Sequence, residues 1–142
     1  MKITDLPFNK LIGMKVSTDP EYLLSLDDKS DYTNHLGTVH ASALFSLAEA
    51  TSGHFLLVNF PKFDSGLIPV VRHVEIKYKK PANGQINSTA HLIDNTLDEI
   101  LEQLLTRKRA LVKLKVELFD TDKTIIMTGD FEWFVTISNI ST

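Results

Sequence analysis

Val39–Phe60 reads VHASALFSLAEATSGHFLLVNF, twenty-two residues before Pro61 in which apolar or small side chains fall on nearly every side. As a helix it would be roughly 33 Å long, at about 1.5 Å per residue. That is the length of a membrane span, but His40, Glu49, His54 and several hydroxyls interrupt it and count against one. A helix that is apolar all round is otherwise one wrapped inside a protein. The flanking sequence must then supply the wrapping.

Downstream of Gly66 the period changes to two. Val70, Val74, Ile76 and Tyr78 fall on one face of a predicted strand, with His73, Glu75, Lys77 and Lys79 on the other. Pro81-Ala82-Asn83-Gly84 is a turn signal, after which Ile86, Ser88, Ala90 and Leu92 alternate with polar residues as a second strand. Thr96 and Glu99 form a capping box ahead of the apolar stripe Leu97, Ile100, Leu101, Leu104 and Leu105, which predicts a short amphipathic helix. Val112, Leu114, Val116 and Leu118 mark a third strand, and beyond Asp120-Thr121-Asp122 a last one runs from Thr124 to Thr136, closing a hairpin. Upstream, residues 4–12 predict a short helix stopped at Gly13, and residues 14–27 a strand pair about Asp19-Pro20. Residues 28–35 read as a polar loop leading to Gly37-Thr38, where the Thr38 hydroxyl is expected to cap the long helix. Consecutive strands joined by short turns imply an antiparallel sheet around that helix, an α+β class.

The length, 142 residues, fits a single domain over 1–142. Fifteen basic against eighteen acidic residues give a net charge of −3, without the basic surplus that nucleic-acid binding requires. Cysteine is absent, which removes thiolate metal sites and Cys nucleophiles and fits a reducing compartment. The first ten residues, MKITDLPFNK, lack the apolar run of a secretory signal. A cytoplasmic protein that neither enters a membrane nor binds nucleic acid is expected. The five histidines show no ligand-like spacing, so no metal is expected.

From Tyr32 to Pro61 the only formally charged side chain is Glu49. A carboxylate in so apolar a helix either reaches a basic partner at the helix edge or does chemistry, because desolvation without a partner is costly. Asn34, Gly37, Thr38 and His40 cluster where the loop enters the helix, whose first N–H groups lack intrahelical partners and suit an anion or oxyanion. Taken one by one, these residues are better accounted for by turn, cap and first-turn roles, and it is their combination with Glu49 that points to a site. His40 and Glu49 are nine residues apart, hence about 13.5 Å along the axis and on opposite sides of a helix that turns about 100° per residue. If both serve one site, Glu49 must come from a second copy of the helix, in a symmetric dimer.

Asn34-x-x-Gly37-Thr38-x-His40, then Leu44-Phe45-x-Leu47-Ala48-Glu49, then Ile76-Lys77-Tyr78-Lys79-Lys80-Pro81-Ala82, resembles the hotdog-fold acyl-CoA thioesterases of the phenylacetate-degradation type, over most of the chain. The resemblance implies a curved antiparallel sheet around one long helix, in a homodimer or a dimer of dimers. It implies hydrolysis of an acyl-CoA, or another acyl thioester, to acid and thiol, with no cofactor beyond the coenzyme A of the substrate. The family's acid matches Glu49 as general base, its Asn matches Asn34, its His matches His40, and its oxyanion N–H falls on Ala41. Gly37 and Thr38 would line the substrate, and Arg72, Lys79 and Lys80 would meet the phosphates, for which Arg107, Lys108 and Arg109 are alternatives. Two departures stand out: Ala41 replaces the family's usual Gly, and Val71 stands where some members place a water-orienting Ser or Thr. Both fit the alternative of an acyl-CoA-binding or fatty-acyl-binding hotdog protein without turnover.

Overall fold

The computed structural model describes residues 1–63 and 66–138. A 3-10 turn (Ile3–Asp5) and helix α1 (Pro7–Ile12) come first, and α1 ends at Gly13 with φ of 87°, a left-handed cap that favours glycine. Strands β1 (Lys15–Val16) and β2 (Leu24–Leu26) follow, then a 3-10 turn (Ser30–Tyr32) and helix α2 (Ala41–Asn59). The remainder is β3 (Leu67–Tyr78), β4 (Ile86–Ile93), α3 (Leu97–Arg107), β5 (Arg109–Phe119) and β6 (Ile125–Ile137). All pairings are antiparallel, in the order β1-β2-β4-β5-β6-β3. The expected class, α+β with one long helix against an antiparallel sheet, is therefore what the chain adopts.

The alternation read from the sequence puts Val112, Leu114, Val116 and Leu118 of β5 into the core, each fully buried. Opposite them lie Ile126, Phe131 and Val135 of β6 and Leu44, Leu47, Ala48 and Leu56 of α2. By length and composition α2 could cross a membrane, yet more than half of it is buried within this chain, as a wrapped helix must be. The capping box of α3 forms in both directions, with Thr96 Oγ1 accepting the Glu99 N–H and Glu99 Oε1 accepting the Thr96 N–H. That helix drives Ile100 and Leu104 into the core.

Polar contacts fix α2 at its middle. Thr51 Oγ1 lies 2.6 Å from Ser88 Oγ on β4, and Ser88 Oγ in turn accepts the Leu24 N–H of β2. One residue further along α2, Ser52 Oγ donates to the Glu49 carbonyl at 2.7 Å and accepts the Trp133 indole N–H at 2.9 Å. The turn that carries Glu49 is thereby tied to β6. Trp133→Phe removes the donor while keeping an aromatic ring, and should lower unfolding free energy by about 1–2 kcal/mol in urea titration.

Three expectations are corrected. The cap of α2 is His40, not Thr38: His40 Nδ1 accepts the Ser42 N–H at 2.9 Å, so the helix starts at Ala41 and covers 19 residues rather than twenty-two. Thr38 is instead bound to Asn34 by an Asx-type turn. Next, β3 and β4 do not pair despite the short connection, since β3 crosses to the far edge and pairs with β6. Finally, β3 shifts register between Val71 and His73, and a one-residue bulge exchanges the faces of a strand. Val74 and Ile76 pack on the core as expected, and so does Val71, whereas Val70 is 54% exposed.

Candidate functional site

The loop before α2 is held by its own short side chains. Asn34 Oδ1 accepts the N–H groups of Leu36 and Thr38, and Asn34 Nδ2 donates to Thr38 Oγ1 at 2.9 Å. Gly37, at φ of 75°, makes the turn between them, a conformation that glycine adopts without a Cβ penalty. Three backbone bonds then set the helix entry: Asn34 N–H to Thr38 carbonyl, Val39 N–H to Ala82 carbonyl, and His40 N–H to Tyr32 carbonyl. The last ties the entry to Tyr32, whose hydroxyl donates to the Ile12 carbonyl.

His40 is exposed. Because Nδ1 is the acceptor for Ser42, its neutral ring carries the proton on Nε2, which is left as a donor. Ser42, Ala43 and Leu44 all direct their N–H groups to His40, whereas the Ala41 N–H meets no acceptor among the described residues. It is the orphan donor that a helix start provides.

Beside it runs an open groove of roughly 310 Å³, lined by Asn34, Leu36, Thr38, Val39, Ala41, Leu44, Tyr78, Lys79, Lys80, Pro81 and Ala82. Five residues singled out in the sequence meet there: Asn34, Thr38, Ala41, Lys79 and Lys80. Lys79 has no acidic partner among the described residues, and Lys80 Nζ is 3.8 Å from an Asp120 carboxylate oxygen. Arg72 stands apart, with its Nε 3.4 Å from a Glu132 carboxylate oxygen on the neighbouring strand. Arg107, Lys108 and Arg109 lie at the end of α3 and the start of β5, away from the groove lining. Gly37 borders a different, smaller hollow with Tyr32, Thr33 and Asn83.

Glu49 does not reach this groove. It lies on the incompletely covered stripe of α2 formed with Ser42, Phe45 and Ser46, half-buried. No hydrogen bond or ion pair holds its carboxylate among the described residues, so the basic partner at the helix edge is missing. Burial raises its pKa above the ordinary carboxylate value. Burial lowers that of His54, the other ionisable side chain within α2. One residue that sequence reading passed over is Tyr78, counted as strand filling. Its hydroxyl donates to the Ala41 carbonyl at 3.4 Å, and burial raises its pKa.

Residues 12–135 match the family DUF4442, described as a domain of unknown function, and the chain belongs to that family. No curated protein matches the sequence. Among solved structures the chain is similar to a Pseudomonas aeruginosa protein of unknown function described as a probable thioesterase, with 22% identity and a TM-score of 0.78 over 95% of this chain and 91% of that one. It is also similar to a candidate thioesterase from Shewanella oneidensis, with 19% identity and a TM-score of 0.75 over 94% and 90% of the two chains. A Bacillus halodurans protein solved with coenzyme A shares 17% identity and a TM-score of 0.63 over 79% of this chain and 69% of its own. These likenesses show the fold, which is the hotdog fold.

Proposed function

We propose that the protein hydrolyses acyl thioesters of coenzyme A in the cytoplasm, as a homodimer or a dimer of dimers. The observation that carries the reading is an unpartnered Ala41 N–H beside the groove, on the same helix as a half-buried carboxylate with no partner among the described residues. The thioesterase names of two structural relatives and the coenzyme A bound to a third support it. The edge strand β3, with Ile68 and Val70 exposed, supports pairing with a second copy.

In this mechanism Glu49 of one subunit removes a proton from water as the water oxygen attacks the thioester carbonyl beside Ala41 of the other. The carbonyl oxygen becomes an oxyanion held by the Ala41 N–H. His40 Nε2–H and the remaining amide hydrogen of Asn34 are further donors for the carbonyl, for water or for the departing sulfur. Collapse of the intermediate breaks the C–S bond, and the proton on Glu49 passes to the thiolate.

A thiol-release assay across a panel of acyl-CoA chain lengths tests the reading. Turnover should fall in acid with a limb above the ordinary carboxylate pKa, because the base works only when ionised and burial holds Glu49 high. No thiol release from any member of the panel would overturn hydrolysis. The second reading, acyl-CoA binding without turnover, draws on the Ala41 methyl group and on Val71, which packs against the core and offers no hydroxyl. Saturable acyl-CoA binding without thiol release would select it.

A further inference from the structure

Tyr78 is the last residue of β3, with its backbone in register with Met127 of β6, while its ring is 49% exposed. The ring stands outside the core at the wall of the groove, where a bound molecule can reach it. Among the described residues its hydroxyl is held only by a long bond to the Ala41 carbonyl, which lies in the first turn of α2, so little has to break for it to change partners. Ala41, Tyr78, Lys79 and Lys80 all line the one groove. Tyr78 ends the strand, and Lys79 and Lys80 follow at a bend where both of their N–H groups meet the Ile126 carbonyl. The wall thus includes an N–H donor, a ring with a hydroxyl and two lysines, of which Lys80 has its ammonium 3.8 Å from an Asp120 carboxylate oxygen. An acyl-CoA presents a carbonyl, then an arm of methylenes and amides, then phosphates.

We infer that Tyr78 is a substrate-positioning residue, its ring packing against the thiol-bearing arm of coenzyme A between the Ala41 N–H and the ammonium groups of Lys79 and Lys80. The inference rests on the proposed thioesterase reading and favours coenzyme A over a protein as the acyl carrier. A ring that packs equally on substrate and transition state changes binding, not the chemical step.

The test pairs calorimetric titration of the dimer with coenzyme A and steady-state hydrolysis of an acyl-CoA. Tyr78→Ala should weaken coenzyme A binding and raise KM by about tenfold each, leaving kcat within about twofold. Its melting temperature should be unchanged, since the ring is outside the core. Tyr78→Phe, which keeps the ring, should restore most of the affinity, and this separates ring packing from the hydroxyl. Unchanged affinity and KM in Tyr78→Ala would overturn the inference, and so would a loss confined to kcat. If the wild type binds coenzyme A but cleaves no acyl-CoA, hydrolysis fails and the titration of Tyr78→Ala still decides the role of the ring. If the wild type cleaves other thioesters without binding coenzyme A, the inference is wrong and hydrolysis stands.

Discussion

Glu49→Gln should reduce thioester turnover by about a hundredfold or more, because an amide of the same shape cannot take a proton from water. Stability should move the other way. Burial raises the carboxyl pKa in the folded chain, so the folded state binds the proton more tightly than the unfolded one. Stability from that group is then fully present below the ordinary carboxylate pKa and is lost as pH rises toward the higher folded value. At neutral pH the wild type keeps a desolvated charge that glutamine removes, and the melting temperature of Glu49→Gln should equal or exceed that of the wild type. Full turnover in a folded variant would return Glu49 to a structural role. Lost turnover together with a lowered melting temperature would point to damage at the turn tied by Ser52 and Trp133.

Mixing His40→Ala with Glu49→Gln should recover activity that neither variant has alone. His40 caps α2 and Glu49 lies eight residues after its first residue, about 12 Å along the axis, and the groove beside Ala41 does not include it. A site using both must draw on two subunits. In a mixed dimer one of the two sites then carries both lesions and the other carries none. Random exchange makes half of the dimers mixed, each with one intact site, so recovery should approach roughly a quarter of wild-type activity. The measurement is thiol release from the mixture, with native mass spectrometry to verify exchange. An inactive mixture of exchanged subunits would exclude the composite site.

Periodicity exposed the parts of this fold that local side-chain patterns determine. The core face of β5, the capping box of α3 and the wrapped helix could all be read because each depends on neighbours within a few residues. The place of β3 could not. Its connection to β4 is only seven residues long, and its choice of β6 is a long-range pairing that no local signal encodes. The bulge at Val71 and His73 also escaped, since one extra residue changes the phase without altering composition. At the site, the isolation of Glu49 was visible as a lone charge in an apolar stretch. The capping role of His40 was hidden because Thr38, a better capper by propensity, lies two residues earlier and is engaged by Asn34 instead. Tyr78 was hidden because it shares the phase of Val74 and Ile76, which pack on the core, while it stands at the end of the strand beside the groove.

The sheet order also governs when the protein becomes competent during its synthesis. β3 leaves the ribosome ahead of β4, α3 and β5, yet its only strand partner among the described residues is β6, whose first residue lies 47 positions after Tyr78. Until β6 emerges, the segment bearing Tyr78, Lys79 and Lys80 has nothing to pair with, and a non-local contact of this kind is slow to close. A nascent chain stalled before β6 would hold the whole of α2 with no groove wall beside it and an apolar helix only partly covered. Such a chain exposes apolar surface on which non-native contacts form.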